Sequence, residues 1–179
     1  MSKGVVVDTE TTGTDSNKDA IIELGMVLFE YDPETGVAYN VIGTFDQLEA
    51  PGFAIPPEST AVHGITDEMV AGHSINDADV EQFLEGVSLV VAHNAKFDRV
   101  FLEKRLPIFE SLPWGCSFAQ VDWSGEGVGS AKLDYIAYQY GGGFKFEVQQ
   151  FMVCLCTAFP RRRIPHAGFY NQAPFWGDD

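Results

Sequence analysis

The sequence has few cysteines and lacks the long apolar runs of membrane proteins. Its three cysteines in 179 residues, Cys116, Cys154 and Cys156, are too few for a disulfide framework and have no His or Cys partners at zinc-site spacing. No apolar stretch approaches the roughly 18 residues that a membrane-spanning helix needs. The N-terminus runs directly into acidic residues, without the apolar segment of a signal peptide. We therefore expect a cytoplasmic protein with no membrane partner.

Basic residues are scarce as well. The chain has 11 Lys and Arg against 26 Asp and Glu, so its formal net charge is −15, and this charge repels nucleic acid at long range. A bound divalent cation can reverse the field locally, because the ion is then the largest charge in its site. The charge therefore disfavours a tight, sequence-reading DNA-binding protein, but it does not exclude an enzyme that holds phosphate through metal ions.

The chain does contain enough apolar residues, 45% of the total, for one folded domain. A turn at 32–36 separates two strands of a hairpin, and 51–60 is a proline-rich loop. Predicted strands cover 5–7, 20–32, 37–48 and 88–93, and predicted helices cover 66–72, 76–87, 95–106 and 130–140. Hairpin strands followed by alternating helices and strands predict an α/β domain with a mixed β-sheet flanked by helices.

Two carboxylates follow the first predicted strand in GVVVDTETTGT, residues 4–14. Asp8 and Glu10 are two residues apart and so project from the same face of a strand. In open α/β sheets, ligands bind at the carboxyl ends of the strands. Two carboxylates on one face repel each other unless a cation lies between them. The pair is therefore better explained by a ligand site than by a solvated strand end.

The segment VVAHNAKFD, residues 90–98, repeats this arrangement with a buried strand, a polar turn and an acid in the first turn of a helix. We expect Asn94 to cap this helix and to share a face with Asp98. Asp98 alone would serve equally well to complement the helix dipole. Together with Asp8 and Glu10, however, it supplies the oxygen ligands that two Mg²⁺ or Mn²⁺ ions require. Two such ions, about 3.5–4 Å apart, stabilise the attacking and leaving oxygens of a phosphodiester.

The segments VVVDTETTGT and VAHNAKFD resemble the first two motifs of the DEDD 3′–5′ exonucleases, the DnaQ-like family that includes the proofreading subunit of bacterial DNA polymerase III. VHGIT, residues 62–66, is similar to a segment between those motifs. The resemblance covers about residues 4–140. It implies a ribonuclease H-like fold and stepwise hydrolysis of nucleic acid from the 3′ end, with single-stranded DNA expected before RNA and a DNA polymerase as a candidate partner.

The resemblance also implies roles for individual residues. Asp8, Glu10 and Asp98 would be the catalytic carboxylates and the ligands of two divalent cations, and Asn94 would lie beside the scissile end of the substrate. The pocket for the terminal nucleotide would be lined by Thr9, Thr11, Thr12, Gly13, His63 and Ile65.

The third motif of that family is missing from this sequence. Its His-type members carry H-x-x-x-x-D after a helix like KLDYIAYQYG, where the His is the general base and the Asp is a fourth metal ligand. The present sequence has GGFKFEVQQFMVCLCTAF at that place, and the variant Y-x-x-x-D is absent there too. The general base is therefore unassigned. His166 is one candidate, with an incidental tail residue as the alternative, whereas His93 is expected to be a packed core histidine.

The composition changes after residue 143. No acid lies between Glu147 and Asp178, and the only basic run is at 161–163. We interpret 1–143 as an exonuclease domain and 144–179 as an atypical tail, and our hypothesis for its origin is a displaced reading frame or a recent rearrangement. Two functions remain open: a metal-dependent 3′–5′ exonuclease that the tail impairs, and a catalytically inactive relative that binds nucleic-acid ends or a polymerase.

Overall fold

The computed structural model describes residues 1–141 of the chain. Five strands in this range form one sheet. Its strands are β1 (Ser2–Thr11), β2 (Ile21–Tyr31), β3 (Ala38–Leu48), β4 (Val87–Ala92) and β5 (Trp114–Cys116). Their order across the sheet is β3-β2-β1-β4-β5. The first three strands pair in antiparallel fashion, whereas β4 pairs in parallel with both β1 and β5. The mixed α/β sheet predicted from the sequence is confirmed.

The helices of the described residues follow the hairpin strands or alternate with β4 and β5. They are α1 (Pro57–His63), α2 (Asp67–Val70), α3 (Asp77–Phe83), α4 (Ala95–Arg105), α5 (Ser117–Gln120) and α6 (Leu133–Gly141), with a 3-10 helix at Pro107–Ser111. Within residues 1–141, no helix has the length and apolar character needed to cross a bilayer.

The main core lies between one face of the sheet and helices α3 and α4. Val5 and Val7 of β1 are fully buried there, with Val80 of α3 and Phe101 and Leu102 of α4 in the same cluster. Side chains alternate between the two faces of a strand. Asp8 and Glu10 therefore project from the face opposite to Val5 and Val7, while Thr9 faces the helices. This packing fixes the direction of both predicted carboxylates.

Several predicted elements are confirmed with small changes in their bounds. The hairpin is found as β2 and β3, and the N–H group of Gly36 closes the turn on the carbonyl oxygen of Asp32 at 2.7 Å. Asn76 caps α3, since its side chain accepts hydrogen bonds from the N–H groups of Ala78 and Asp79. The helix predicted at 130–140 is found as α6.

Other predictions of local structure are wrong. The predicted 51–60 loop ends in helix α1, because a proline is well suited to the first turn of a helix, where its missing N–H would have no partner. Asn94 does occupy the predicted N-cap position of α4, but among residues 1–141 its side chain makes no capping hydrogen bond to that helix. Instead the backbone carbonyl oxygen of Asn94 accepts a hydrogen bond from the N–H group of Phe97 at 2.7 Å. The predicted tail at 144–179 and His166 lie outside the described residues.

Candidate active site at the end of strand β1

The candidate site lies where β1 continues past the neighbouring strand β4. The last residue pair between these parallel strands joins Val6 to Val91, whereas β1 remains paired with β2 as far as Thr11. The strand is therefore longer than the predicted 5–7, because its pairing with β2 continues through the polar residues. Asp8 and Glu10 lie on this extension, at the carboxyl end of a strand in the sheet, where ligands commonly bind.

Asp98 is brought to β1 by a pair of hydrogen bonds from Thr9. Its Oδ1 atom accepts from the backbone N–H of Thr9 at 3.1 Å and from the Thr9 hydroxyl at 2.9 Å. The Asp98 side chain is only 4% exposed. Burial raises the pKa of Asp98 to about 6, although both bonds from Thr9 act in the opposite direction. The buried Thr9 hydroxyl thus orients a carboxylate, in addition to lying in the predicted pocket segment.

The negative charge of Asp98 acts on the carboxyl groups of both Asp8 and Glu10. Burial raises the pKa of Asp8 to about 8, and the negative charges of Asp98, Glu10 and Glu23 contribute to this rise. The pKa of Glu10 is also raised, first by burial and then by Asp98. The structure therefore brings the three carboxylates predicted from the two motifs into one electrostatic cluster with excess negative charge.

Glu23 is an acidic neighbour that the sequence analysis did not identify. It lies on β2 directly opposite Glu10, and Gly25 lies directly opposite Asp8. Because residues in register on neighbouring strands share a face, Glu23 faces the same side as the two β1 carboxylates. Glu23 can be recognised as a neighbour of Glu10 only from the register of β1 against β2. That register depends on how the loop after β1 folds.

The segment after Glu10 builds a compact loop with its own side chains. The Thr11 hydroxyl donates to the carbonyl oxygen of Gly13 at 2.6 Å. The Thr12 hydroxyl donates to Asp19 at 3.3 Å and accepts from the N–H group of Ala20 at 3.0 Å. A Cβ atom on Gly13 would lie 2.5 Å from the Asp19 carboxylate, so this approach requires glycine. Thr11, Thr12 and Gly13 thus shape the predicted pocket segment through hydrogen bonds within the chain.

Helix α1 places His63 and Ile65 beside this loop. The Ser59 hydroxyl donates to the carbonyl oxygen of Thr12 at 2.7 Å, which ties α1 to the end of β1. Gly64 ends the helix with φ of 80°, a conformation that favours glycine. Ile65 is buried, and its N–H group donates to Nδ1 of His63 at 3.0 Å.

The two nitrogens of the His63 ring have different surroundings. Because Nδ1 accepts a hydrogen bond, the neutral ring carries its proton on Nε2. Burial lowers the pKa of His63, and the backbone of Thr11 acts in the opposite direction. Nε2 is buried without a hydrogen-bond partner among residues 1–141. A buried donor without a full partner is costly, and the backbone of Thr11, which raises the pKa of His63, is the nearby group that offsets part of this cost.

A second group of residues lies at the carboxyl ends of β4 and β5. Asn94 is exposed, as a residue that contacts substrate would be. Nδ1 of His93 is 3.0 Å from the hydroxyl of Ser117, and burial lowers the pKa of His93. Its ring meets Phe118 edge to face at 5.6 Å. His93 is therefore the packed, hydrogen-bonded histidine that the sequence predicted.

The donor set of the site suits a hard divalent cation. All three carboxylates offer oxygen ligands, which Mg²⁺ and Mn²⁺ prefer. Burial raises the pKa of each, and for Asp8 and Glu10 the neighbouring negative charge, which a cation would neutralise, adds to the rise. In the part of the chain that the structure describes, however, no group of three or more His, Cys, Asp or Glu side chains is arranged so that it could hold a metal ion. The residues therefore fit such an ion by their chemistry and charge, and not by a preformed coordination geometry.

The chain matches the model of the RNase T family of exonucleases over residues 5–120. This range includes Asp8, Glu10 and Asp98, as well as His63, Ile65 and Asn94.

Similar proteins include two DNA polymerase III proteins. The chain is 33% identical over 143 residues to the DNA polymerase III subunit epsilon of Treponema pallidum, covering 75% of this chain and 63% of that protein. It is 36% identical over 120 residues to the PolC-type DNA polymerase III of Clostridium perfringens, covering 61% of this chain and 8% of that protein. The chain thus spans less than two thirds of the length of these relatives.

Solved structures of exonucleases share the fold. Exonuclease X in complex with 5′ overhanging duplex DNA superposes with a TM-score of 0.57 at 22% identity, over 87% of this chain and 89% of that chain. Exonuclease I of E. coli in complex with an oligonucleotide superposes with a TM-score of 0.68 at 15% identity, over 93% of this chain and 42% of that chain. The predicted ribonuclease H-like fold is confirmed, and the chain belongs to the RNase T family of exonucleases, as its DnaQ-like motifs predicted.

Proposed function

We propose that the chain is a metal-dependent 3′–5′ exonuclease that removes nucleotides from the 3′ end of single-stranded or overhanging DNA. The observation that carries this proposal is the meeting of Asp8, Glu10 and Asp98 where β1 passes the end of β4. Family membership supports it, because the two motifs that supply these residues lie within the matched range.

Asp8, Glu10 and Asp98 would hold two Mg²⁺ or Mn²⁺ ions. When bound, such ions supply Lewis-acid stabilisation of the phosphoryl oxygens and a nucleophilic water at neutral pH. The role of Thr9 is to hold Asp98 in one orientation through two hydrogen bonds, since ligand orientation by neighbouring groups strongly affects metal sites. Hydrolysis of the terminal phosphodiester would leave a 3′ hydroxyl on the shortened strand and a 5′ phosphate on the released nucleotide.

The terminal nucleotide would lie between α1 and the loop after β1. His63 would lie beside that nucleotide, since the hydrogen bond from Ser59 to Thr12 ties α1 to the end of β1. Ile65 supports His63 through its backbone N–H group. Asn94, exposed at the start of α4, would contact the scissile end.

The general base lies outside these assignments. His93 donates to or accepts from Ser117 through Nδ1, and Nδ1 of His63 accepts from Ile65, so both rings are held by local contacts. His166 therefore stays the candidate from the sequence, in a part of the chain that the structure does not describe.

The test is a gel assay of a 5′-labelled single-stranded oligonucleotide with Mn²⁺, with EDTA and with the Asp98→Asn variant. Asp98→Asn keeps an oxygen that can accept from Thr9 but removes the charge that a cation needs. The matched control is Asp134→Asn, because Asp134 is also an acid in the first turn of a helix but is exposed. We expect a metal-dependent ladder in the wild type and the control, and none in Asp98→Asn. Products from internal cutting, or a ladder that persists in EDTA, would contradict the proposal.

DNA is favoured over RNA because the similar solved structures named above are complexes with DNA and the named relatives are DNA polymerase components. The same relatives make a DNA polymerase the candidate partner that would present frayed 3′ ends. Comparing the initial rates on DNA and RNA oligonucleotides of one sequence tests the preference. A faster initial rate on the RNA oligonucleotide would contradict the preference for DNA.

A second function is favoured by one observation, the missing third motif at residues 142–159. Without its base and fourth carboxylate, the protein would bind 3′ ends and not hydrolyse them. General-base catalysis is typically worth about 10²–10⁴-fold in rate. Metal-dependent binding of the oligonucleotide without any shortened product, from a folded protein, would establish this function in place of the first.

A further inference from the structure

Phe118 is an exposed aromatic residue at the same edge of the sheet as the candidate active site. Strands β1, β4 and β5 run parallel to one another, so their carboxyl ends meet at one edge. Asp8 and Glu10 lie at this end of β1, His93 and Asn94 follow β4, and Phe118 follows β5 by two residues.

The segment that carries Phe118 is anchored on both sides of the ring. Its neighbours Cys116 and Ser117 are buried, whereas Phe118 is 49% exposed. The N–H group of Cys116 donates to the side-chain oxygen of Gln120 at 2.7 Å. The indole N–H of Trp123 donates to the carbonyl oxygen of Ser117 at 2.7 Å. The exposure of Phe118 is therefore not the result of a loose loop.

His93 fixes the ring and connects it to the active-site side of β4. The two rings meet nearly at right angles, with an interplanar angle of 82° and centroids 5.6 Å apart. Such edge-to-face contacts are favourable for aromatic pairs. His93 is in turn held by the hydroxyl of Ser117, and it directly precedes Asn94. The ring is held in place from one direction while half of its surface remains open to solvent.

The negative charge of the protein favours a neutral contact with a nucleic-acid strand, such as this ring could make. A chain with a formal net charge of −15 gains little from phosphate contacts along a substrate strand. Base stacking on an aromatic side chain does not depend on charge and is available to every base. A fixed, neutral aromatic surface beside the site is therefore the kind of contact that an acidic protein can use to hold a polyanionic strand.

We propose that Phe118 is a stacking platform for a base close to the 3′ end of a single-stranded substrate, a role that rests on the proposed exonuclease function. The terminal nucleotide would occupy the pocket beside His63, and Phe118 would bind a base on the 5′ side of it. Phe118 would thus set affinity for single-stranded ends without taking part in hydrolysis.

The test measures binding of a 5′-fluorescein-labelled oligodeoxythymidine of about twelve nucleotides by fluorescence anisotropy. Ca²⁺ replaces Mn²⁺ under conditions first shown to give no ladder. Stacking of one base predicts that Phe118→Ala raises Kd about 5- to 150-fold, while Phe118→Trp binds as tightly as the wild type. Tyr39→Ala is the matched control, because Tyr39 is 51% exposed at the start of β3, at the opposite end of the sheet. It should leave Kd unchanged.

Oligonucleotides with a single abasic site at each position near the 3′ end identify the stacked base. At one position, the abasic site should weaken binding to the wild type but not to Phe118→Ala, because the contact is already lost. The inference is overturned if Phe118→Ala binds as the wild type does, or if every abasic site weakens both proteins equally. If the wild type produces a ladder but these results fail, only this inference is wrong; if it neither binds nor cuts, the proposed function falls with it.

Discussion

One side chain joins the two motifs of the site, because a single oxygen of Asp98 accepts hydrogen bonds from both the N–H group and the hydroxyl of Thr9. Thr9 belongs to strand β1 and Asp98 to the first turn of α4, 89 residues later in the chain. The backbone bond survives any substitution at position 9 except proline, whereas the second bond depends on the hydroxyl.

Removing the Thr9 hydroxyl should therefore weaken the site without unfolding it. Thr9→Val keeps the shape of the side chain and loses one bond to Asp98. Loss of a group that orients a metal ligand typically costs about 10- to 100-fold in metal affinity or activity. We expect Thr9→Val to raise the Mn²⁺ concentration needed for half-maximal rate, and Thr9→Ser to retain wild-type behaviour. If the wild type, Thr9→Val and Thr9→Ser all reach half-maximal rate at the same Mn²⁺ concentration, the hydroxyl does not orient Asp98.

Asp8 should destabilise the metal-free protein at neutral pH. Its pKa rises from 3.8 to about 8 on folding, so between these values the folded state binds more protons than the unfolded state. The free energy of unfolding therefore falls as pH rises through this window. In EDTA we expect Asp8→Asn to raise Tm at pH 7.5 by about 2–8 °C and to flatten its pH dependence.

The control for this prediction is Asp134→Asn, which removes an exposed acid and should leave Tm within about 1 °C of the wild type. Mn²⁺ should raise the Tm of the wild type more than that of Asp8→Asn, because only the wild type has the full set of carboxylates. A lower Tm for Asp8→Asn in EDTA would contradict the cost of burying the Asp8 carboxylate beside other acids.

A side chain at Gly13 should destabilise the loop after β1. A Cβ atom would lie 2.5–2.6 Å from atoms of the Asp19 carboxylate, which is held by the N–H group of Asp15 at 2.8 Å. We expect Gly13→Ala to destabilise the protein by about 1–3 kcal/mol, as overpacking commonly does. Chemical denaturation measures this. Gly25→Ala is the control, because its nearest atom would be 4.0 Å away, and a similar loss there would show that strain at Gly13 is not the cause.

Arg105 should contribute more to stability than the other arginine of α4. Its guanidinium group donates to both carboxylate oxygens of Glu49 at 2.8 and 2.9 Å, to Asp77 at 2.8 Å and to the carbonyl oxygen of Ile75 at 3.1 Å. Lysine cannot reproduce this planar set of donors.

We expect Arg105→Lys to lower the free energy of unfolding by about 1–3 kcal/mol, the range for hydrogen bonds to charged groups. Arg99→Lys, which alters only a pair with Glu103 one helical turn away, should cost less than about 0.5 kcal/mol. Equal losses in urea denaturation would mean that the network adds nothing beyond an ordinary surface ion pair.

The sequence predicted the parts of this fold that have a local signal. The hairpin and the long helices follow from periodicity and turn residues, and Asp8, Glu10 and Asp98 follow from their positions after apolar strands. Strand β5 has only three residues, Trp114–Cys116, too few for an alternating pattern. Phe118 was therefore missed with it.

Other features depend on contacts between distant segments. The bonds between Thr9 and Asp98 require α4 to reach β1, and the place of Glu23 opposite Glu10 requires the register of β1 and β2. The exact fit of Gly13 against Asp19 likewise depends on how the loop closes. No pattern of residue types along the chain encodes these distances.

The early end of β4 explains how Asp98 reaches β1 at this edge. β4 stops at Ala92. The side chain of Asp98, from the following helix, then accepts the hydrogen bond from the backbone N–H group of Thr9, which a longer β4 could have accepted through a backbone carbonyl oxygen. Extending β4 by two residues would complete the sheet and leave Asp98 without its place. In this protein, the length of strand β4 therefore decides whether the N–H group of Thr9 pairs within the sheet or holds the Asp98 carboxylate.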